Sequence, residues 1–222
     1  MTSSFHESLT GAFEANRNPE KAVWMEDYMK GQFEFYGLYS TLRKDLTREV
    51  IQSTGIPEDE VFEDEIRSCW SDPHREVQYA AQELVHRKKW WKREDSIDLI
   101  EEMITSRSWW DTVDFIASNL CGSYFRIHPD QIEVIIPRWN ASDNMWLIRS
   151  SILFQLKYKK ETDLALLESM IVPQIGSKEF FIQKAIGWVL REVSKHNPDF
   201  VSEFIERYPL KPVSLREAKK YI

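Results

Sequence analysis

Val77-Gln78-Tyr79-Ala80-Ala81, Thr112-Val113-Asp114-Phe115-Ile116, Leu147-Ile148-Arg149-Ser150-Ser151 and Ile182-Gln183-Lys184-Ala185-Ile186 fall into register at a step of 35 residues, with Tyr79, Asp114, Arg149 and Lys184 at the same place in each. A period of that length holds about two helices and two short turns, the unit of an array in which each repeat buries its apolar face on the next. The spacing predicts an all-α chain, a helical-repeat solenoid with a concave groove. Equivalent positions in such an array lie side by side, so these four side chains would form one polar row.

The remaining sequence agrees with a helical reading. Apolar residues recur at i, i+3 and i+4, and no alternating run is bounded by Asn-Gly or Asp-Gly. Candidate helices cover roughly 3–15, 19–32, 39–53, 58–71, 74–90, 95–106, 109–124, 130–140, 143–159, 163–175, 179–196, 199–207 and 214–221. Asn18-Pro19, Asp72-Pro73, His128-Pro129, Asn197-Pro198 and Pro209 fall in or beside the gaps, as expected from the restriction Pro places on its predecessor. The 222 residues are expected to form one domain, 1–222.

Composition narrows the class. With 42% hydrophobic and 29% charged residues the chain reads as folded, and seven Gly with nine Pro exclude a collagen-like or linker-dominated one. No apolar stretch is long enough to span a membrane. Met1-Thr2-Ser3-Ser4-Phe5-His6-Glu7 lacks the basic start and apolar run of a signal peptide, and Cys69 and Cys121 suggest no disulfide framework, so the cytoplasm is the expected compartment. Nine Trp and twelve Phe are more aromatic mass than a core requires. The net charge of −7 argues against nucleic acid at first sight, yet it is unevenly spread. Residues 1–66 hold 14 acidic against 6 basic residues, and 67–222 hold 22 against 23.

Trp110 precedes Asp114 by four residues and Trp188 follows Lys184 by four, which puts both indoles on the helix faces that carry the polar row. Two readings follow. Both Trp could be core residues, with Asp114 and Arg149 an ordinary ion pair between adjacent helices; or the two aromatics surround a carboxylate and an arginine in the groove. A lone Trp at helical spacing is usually a core residue, but Asp, Arg and Lys, which share its face here, are seldom fully buried, so both readings stay open.

The stretch Ser108-Trp109-Trp110-Asp111-Thr112-Val113-Asp114 resembles the AlkD-type DNA glycosylases, helical-repeat (HEAT-like) enzymes of alkylation repair. Met145-Trp146-Leu147-Ile148-Arg149, the run from Phe180 to Arg191 and the closing Leu215-Arg216-Glu217-Ala218 extend the resemblance over essentially the whole chain. It implies that Asp114 is the catalytic carboxylate, that Trp110 and Trp188 are the groove tryptophans and that Arg149 is the groove arginine. Tyr28, in Tyr28-Met29-Lys30, looks like the N-terminal groove tyrosine over a shorter stretch.

The activity the resemblance implies is hydrolysis of the N-glycosidic bond of purines alkylated at N3 or N7 in double-stranded DNA, as in 3-methyladenine and 7-methylguanine. The implied enzyme is monofunctional, needs no cofactor and works from an open groove without base flipping. The residues suit that chemistry. Alkylation at those nitrogens makes the base cationic, so it leaves as a neutral purine without a general acid. The sugar then becomes oxocarbenium-like, and a carboxylate facing C1′ stabilises it electrostatically. An ordinary Asp, with a pKa of about 3.9, is ionised at neutral pH. Indole faces attract the developing positive charge. Arg149 would serve as a phosphate contact or as the partner of Asp114.

Cations available to the DNA backbone include the run Arg87-Lys88-Lys89-Trp90-Trp91-Lys92-Arg93, Lys157 to Lys160, Lys184, Arg191, Lys195 and Lys219-Lys220. The 87–93 run reads equally as a phosphate-tracking element and as a helix end whose two Trp anchor the next repeat. Glu58-Asp59-Glu60 and Glu63-Asp64-Glu65 sit near a helix start, where the helix dipole favours acid. The five His never pair at metal-ligand spacing, no Cys-x-x-Cys occurs, and neither a phosphate-binding Gly-rich loop nor a Gly-x-Ser-x-Gly elbow is found, so no metal is expected. A monomer is expected. Two other readings stand beside the glycosylase: a catalytically silent relative that binds DNA, and a protein-binding scaffold, whose best support is the net charge of −7.

Overall fold

The computed structural model describes residues 4–222, so the start expected for the first helix, at position 3, lies outside the described residues. The described residues are helical without strands, and an isolated parallel β-bridge joins Glu34 to His74. Contacts divide the chain into two compact units, one ending at Trp90 and the other spanning Trp91–Ile222.

The first unit contains α1 (Phe5–Glu14), α2 (Pro19–Tyr28), α3 (Ser40–Thr54), α4 (Asp59–Ser71) and α5 (Arg75–Lys88). Helix α1 opens on a capping box, in which the Ser4 hydroxyl accepts from the Glu7 amide and the Glu7 carboxylate accepts from the Ser4 amide. Phe5, Leu9 and Phe13 recur every four residues and form its buried face. Asn18 caps α2 and Pro19 occupies its first turn. The helix expected over 19–32 stops at Tyr28 because Lys30 and Gly31 take positive φ, 59° and 67°. Asp72 joins α1 to the start of α5: one oxygen lies 2.9 Å from His6 Nε2 and the other accepts from the His74 amide at 2.8 Å. Lys88 and Trp90 hold the end of this unit, Lys88 pairing with Asp59 at 2.6 Å and Trp90 donating to Glu63 at 3.0 Å while packing on Phe62. Trp90 therefore anchors on an earlier helix, α4, and not on the next repeat as expected for the two Trp of the 87–93 run.

The second unit contains α6 (Ser96–Thr105), α7 (Trp110–Phe115), α8 (Gly122–Ile127), α9 (Ile132–Asn140), α10 (Met145–Leu153), α11 (Leu164–Ile171), α12 (Phe180–Ser194), α13 (Pro198–Arg207) and α14 (Pro212–Ala218). Between α7 and α8 the chain widens into a π-helical turn, Ile116–Cys121, so the helix expected over 109–124 is one path with a local change of pitch. The helix expected over 143–159 ends at Leu153; turns follow, and Lys159 has φ 57°. Ile152, Leu153, Ile182, Ile186, Leu190 and Phe204 belong to the core between α10, α12 and α13.

Within this unit, bonds between helices run at about one repeat. Arg126 reaches Glu161, 35 residues on; Tyr158 donates to the Gly122 carbonyl, 36 back; Arg138 reaches Glu101, 37 back; and Arg207 reaches Glu168, 39 back. A chain in which each segment touches the segment one period away is stacking repeats. Asp114, Arg149 and Lys184 accordingly lie on α7, α10 and α12, with α10 packed on both of the others.

Candidate active site

Three of the four equivalent positions converge on a cavity of about 350 Å³ in the second unit. Asp114, Arg149 and Lys184 line it with Trp110, Trp188, Arg191, Phe180, Phe181 and Glu217. Trp110 begins α7 and Asp114 follows one helical turn later, before the π-turn changes the pitch, so the i,i+4 relation holds and both reach the same space. Trp188 stands in the same relation to Lys184 along α12; its indole is half-buried, packed on one side against the core.

Asp114 and Arg149 form a two-point ion pair. Arg149 Nε donates to Oδ1 at 2.7 Å and Nη2 to Oδ2 at 2.9 Å, while Nη1 donates to the Phe181 carbonyl. The guanidinium is thereby fixed between α7 and α12, and 4% of the arginine side chain is exposed against 16% of the aspartate. The fork uses three of its five N–H groups and covers one side of the carboxylate, whose remaining lone pairs are free to face the cavity. Burial pushes the Asp114 carboxyl above its ordinary value, opposed by the charge and hydrogen bonds of Arg149, with Asp111 adding a smaller upward push. Behind the pair, Trp109, Trp146 and Phe181 form an aromatic cluster with ring centroids 5.2–5.9 Å apart, which holds the Phe181 carbonyl in place under Arg149.

A second carboxylate stands across α12. Glu217, on α14, accepts from Arg191 at 2.6 Å and from Lys220 at 2.8 Å, with Lys184 Nζ 3.5 Å away. The bond from Lys220, helped by the charges of Lys184 and Arg191, holds its carboxyl below the usual range. α14 reaches this position because residue 187 is Gly: a Cβ there would meet Glu217 Cβ at 2.7 Å and the Ser214 backbone at 3.0 Å.

A model of the family described as DNA alkylation repair enzyme matches residues 9–222. The chain belongs to that family. Among solved structures, a protein from Enterococcus faecalis described as a predicted DNA alkylation repair enzyme superposes with a TM-score of 0.86 at 32% identity, over 93% of this chain and 96% of its own. No curated protein matches the chain.

In this DNA alkylation repair family member six of the seven site residues expected from the sequence, Asp114, Trp110, Trp188, Arg149, Lys184 and Arg191, line one cavity. Tyr28 belongs to the first unit, where it stacks on Trp24 and lines a different cavity together with Tyr79. Sequence reasoning missed Glu217, Phe180 and Phe181 as cavity residues, although Phe180-Phe181 and Leu215-Arg216-Glu217-Ala218 lie inside the stretches that carry the resemblance.

Proposed function

We propose that this DNA alkylation repair family member is a monofunctional DNA glycosylase that releases cationic N3- and N7-alkylated purines from double-stranded DNA. The observation that carries the reading is the two-point Asp114–Arg149 pair in a cavity that Trp110 and Trp188 also line. A carboxylate fixed in position but not covered on all sides is the group that an oxocarbenium-like sugar requires.

In the proposed reaction the bond between C1′ and the purine nitrogen breaks, and its electron pair neutralises the positive charge of the alkylated base. Water forms the new bond to C1′ and gives up a proton. Asp114 stabilises the cationic sugar and orients that water; the indoles of Trp110 and Trp188 add cation–π attraction of roughly 0.5–2 kcal/mol and shed bulk water. No strand-cleaving step is included. Such a step needs an amine nucleophile, and Lys184, the amine that lines the cavity, is engaged by the Glu217 carboxylate. Lys184, Arg191 and the two N–H groups that Arg149 keeps are the proposed contacts to DNA, with Tyr28 as a further contact from the first unit. The protein would act as a monomer in the cytoplasm, associated with the nucleoid when on DNA.

The test is release of 7-methylguanine and 3-methyladenine from duplex DNA by the unmutated protein and by Asp114→Asn, with circular dichroism on both. Asn keeps an acceptor for Arg149 but removes the charge, so release should fall by at least a hundredfold in a folded variant, a loss of about 2.7 kcal/mol of barrier lowering. No release by the unmutated protein on either base would refute the reading.

A further inference from the structure

The first unit holds a cavity of about 260 Å³, many times the roughly 15 Å³ that one water needs. Its wall is built from Tyr28, Tyr79, Phe35, Met25, Met29 and Leu38, side chains that present rings and thioethers to a flat partner. Tyr28 is 56% exposed and stacks on the equally open Trp24, centroids 5.8 Å apart and planes 13° from parallel.

The charged groups of this wall are committed elsewhere. Glu76 accepts from the backbone amides of Tyr36, Gly37 and Leu38 at 2.9–3.1 Å, and Arg43 makes a two-point pair with Glu83 at 2.8 and 2.9 Å. Gln82 differs. It is 4% exposed, it lines the cavity, and its Oε1 has no hydrogen-bond partner. A buried amide oxygen left without a donor keeps its desolvation cost uncompensated, and a ligand bearing an N–H would offset it.

We propose that this cavity binds an adenine base, the ring lying against the aromatic wall and the Gln82 amide pairing with its exocyclic amine and a neighbouring ring nitrogen. A glutamine amide presents one donor and one acceptor side by side, the complement of an adenine edge, and protein sites for unpaired bases combine such edge contacts with stacking on aromatic side chains. The wall offers no uncommitted cation for a phosphate, so it recognises the base itself. The base comes either free or from an unpaired position in a strand. The site lies in the other unit and shares no residue with the Asp114 cavity; it meets the glycosylase reading at Tyr28, a further DNA contact there, whereas Gln82 has no part in that reading.

Titration calorimetry with 9-methyladenine tests it, alongside 9-methylpurine, which lacks the amine, and Gln82→Leu, which removes both amide groups. Saturable binding of 9-methyladenine is expected, weakened at least about tenfold by either change. Gln82→Leu should melt at the same temperature or higher, since it deletes an unsatisfied polar atom; should it fail to fold, Tyr28→Ala at the exposed wall should weaken binding of the free base instead. Displacement of 9-methyladenine by a duplex with a single bulged adenine, but not by a fully paired one, assigns the base to a strand; displacement by neither assigns it to a free ligand. Absence of 9-methyladenine binding overturns the proposal, and so does binding equal for 9-methylpurine and indifferent to Gln82→Leu.

Discussion

Asp114 is subject to two opposed influences, burial that favours its neutral form and a guanidinium that favours its charge, and burial prevails. If the ionised carboxylate is the working form, the acid limb of the pH–rate profile should lie above the range of an ordinary aspartate. Activity is then full above the raised pKa and lost as the pH falls through it. Arg149→Gln removes the opposing influence, so the limb should move to still higher pH; a single-turnover profile for both proteins gives the shift, and a limb that stays put or moves down would show that Asp114 is not the titrating group. Glu217 presents the converse case. It neutralises Lys184, Arg191 and Lys220 within one cluster, so Glu217→Gln should release positive potential into the cavity and tighten binding to undamaged duplex, with a steeper dependence on salt. Filter retention across a salt series measures both, and unchanged affinity would mean that these cations do not face DNA.

At the scale of helices, the approach of α14 to α12 depends on a missing methyl group. Gly187→Ala would press on Glu217 Cβ and the Ser214 backbone, so α14 must retreat with its carboxylate, at a cost of roughly 1–3 kcal/mol. Gly11→Ala on α1, with nothing within 4 Å, should instead stabilise by up to about 1 kcal/mol; thermal melts of the two variants should move in opposite directions. The contrast also shows what the sequence discloses. Both residues are Gly within helices, and no local signal separates them, because the difference is made by a helix 27 residues further on in one case and by open space in the other. Asp114, Arg149 and Lys184 are legible together because a fixed period puts equivalent positions on neighbouring helices whatever the residue types. Glu217 obeys no such period, and its place follows from α12–α14 packing. The π-turn after Asp114 has no signature in residue type, so it reads as ordinary helix. Lys30-Gly31 ends α2 early through a backbone conformation that the apolar spacing over 19–32 does not reveal.

Over the whole molecule the charge balance is decided by how many cations remain uncommitted. In the second unit Arg93, Arg126, Arg138, Lys195 and Arg207 each pair with a carboxylate, in addition to the cluster on Glu217. Exposed pairs of this kind are weak, about 0–1 kcal/mol, so a phosphate can compete for the cation, but each exchange leaves a carboxylate beside the DNA. In the first unit 14 acidic against 6 basic residues over 1–66 add repulsion at long range. Undamaged duplex should therefore be held through few phosphates. With about four contacts, affinity falls roughly a hundredfold between about 50 and 200 mM salt, enough to abolish retention on a duplex column. Excision from saturating damaged duplex should be affected less, because the charge that stabilises the cationic sugar is held inside a cavity, where screening is weak. Measuring both across one salt series separates the two contributions. Retention that persists at high salt would mean that uncharged contacts hold plain DNA, and excision that collapses in parallel with retention, even at saturation, would place the main rate contribution in backbone contacts rather than at Asp114.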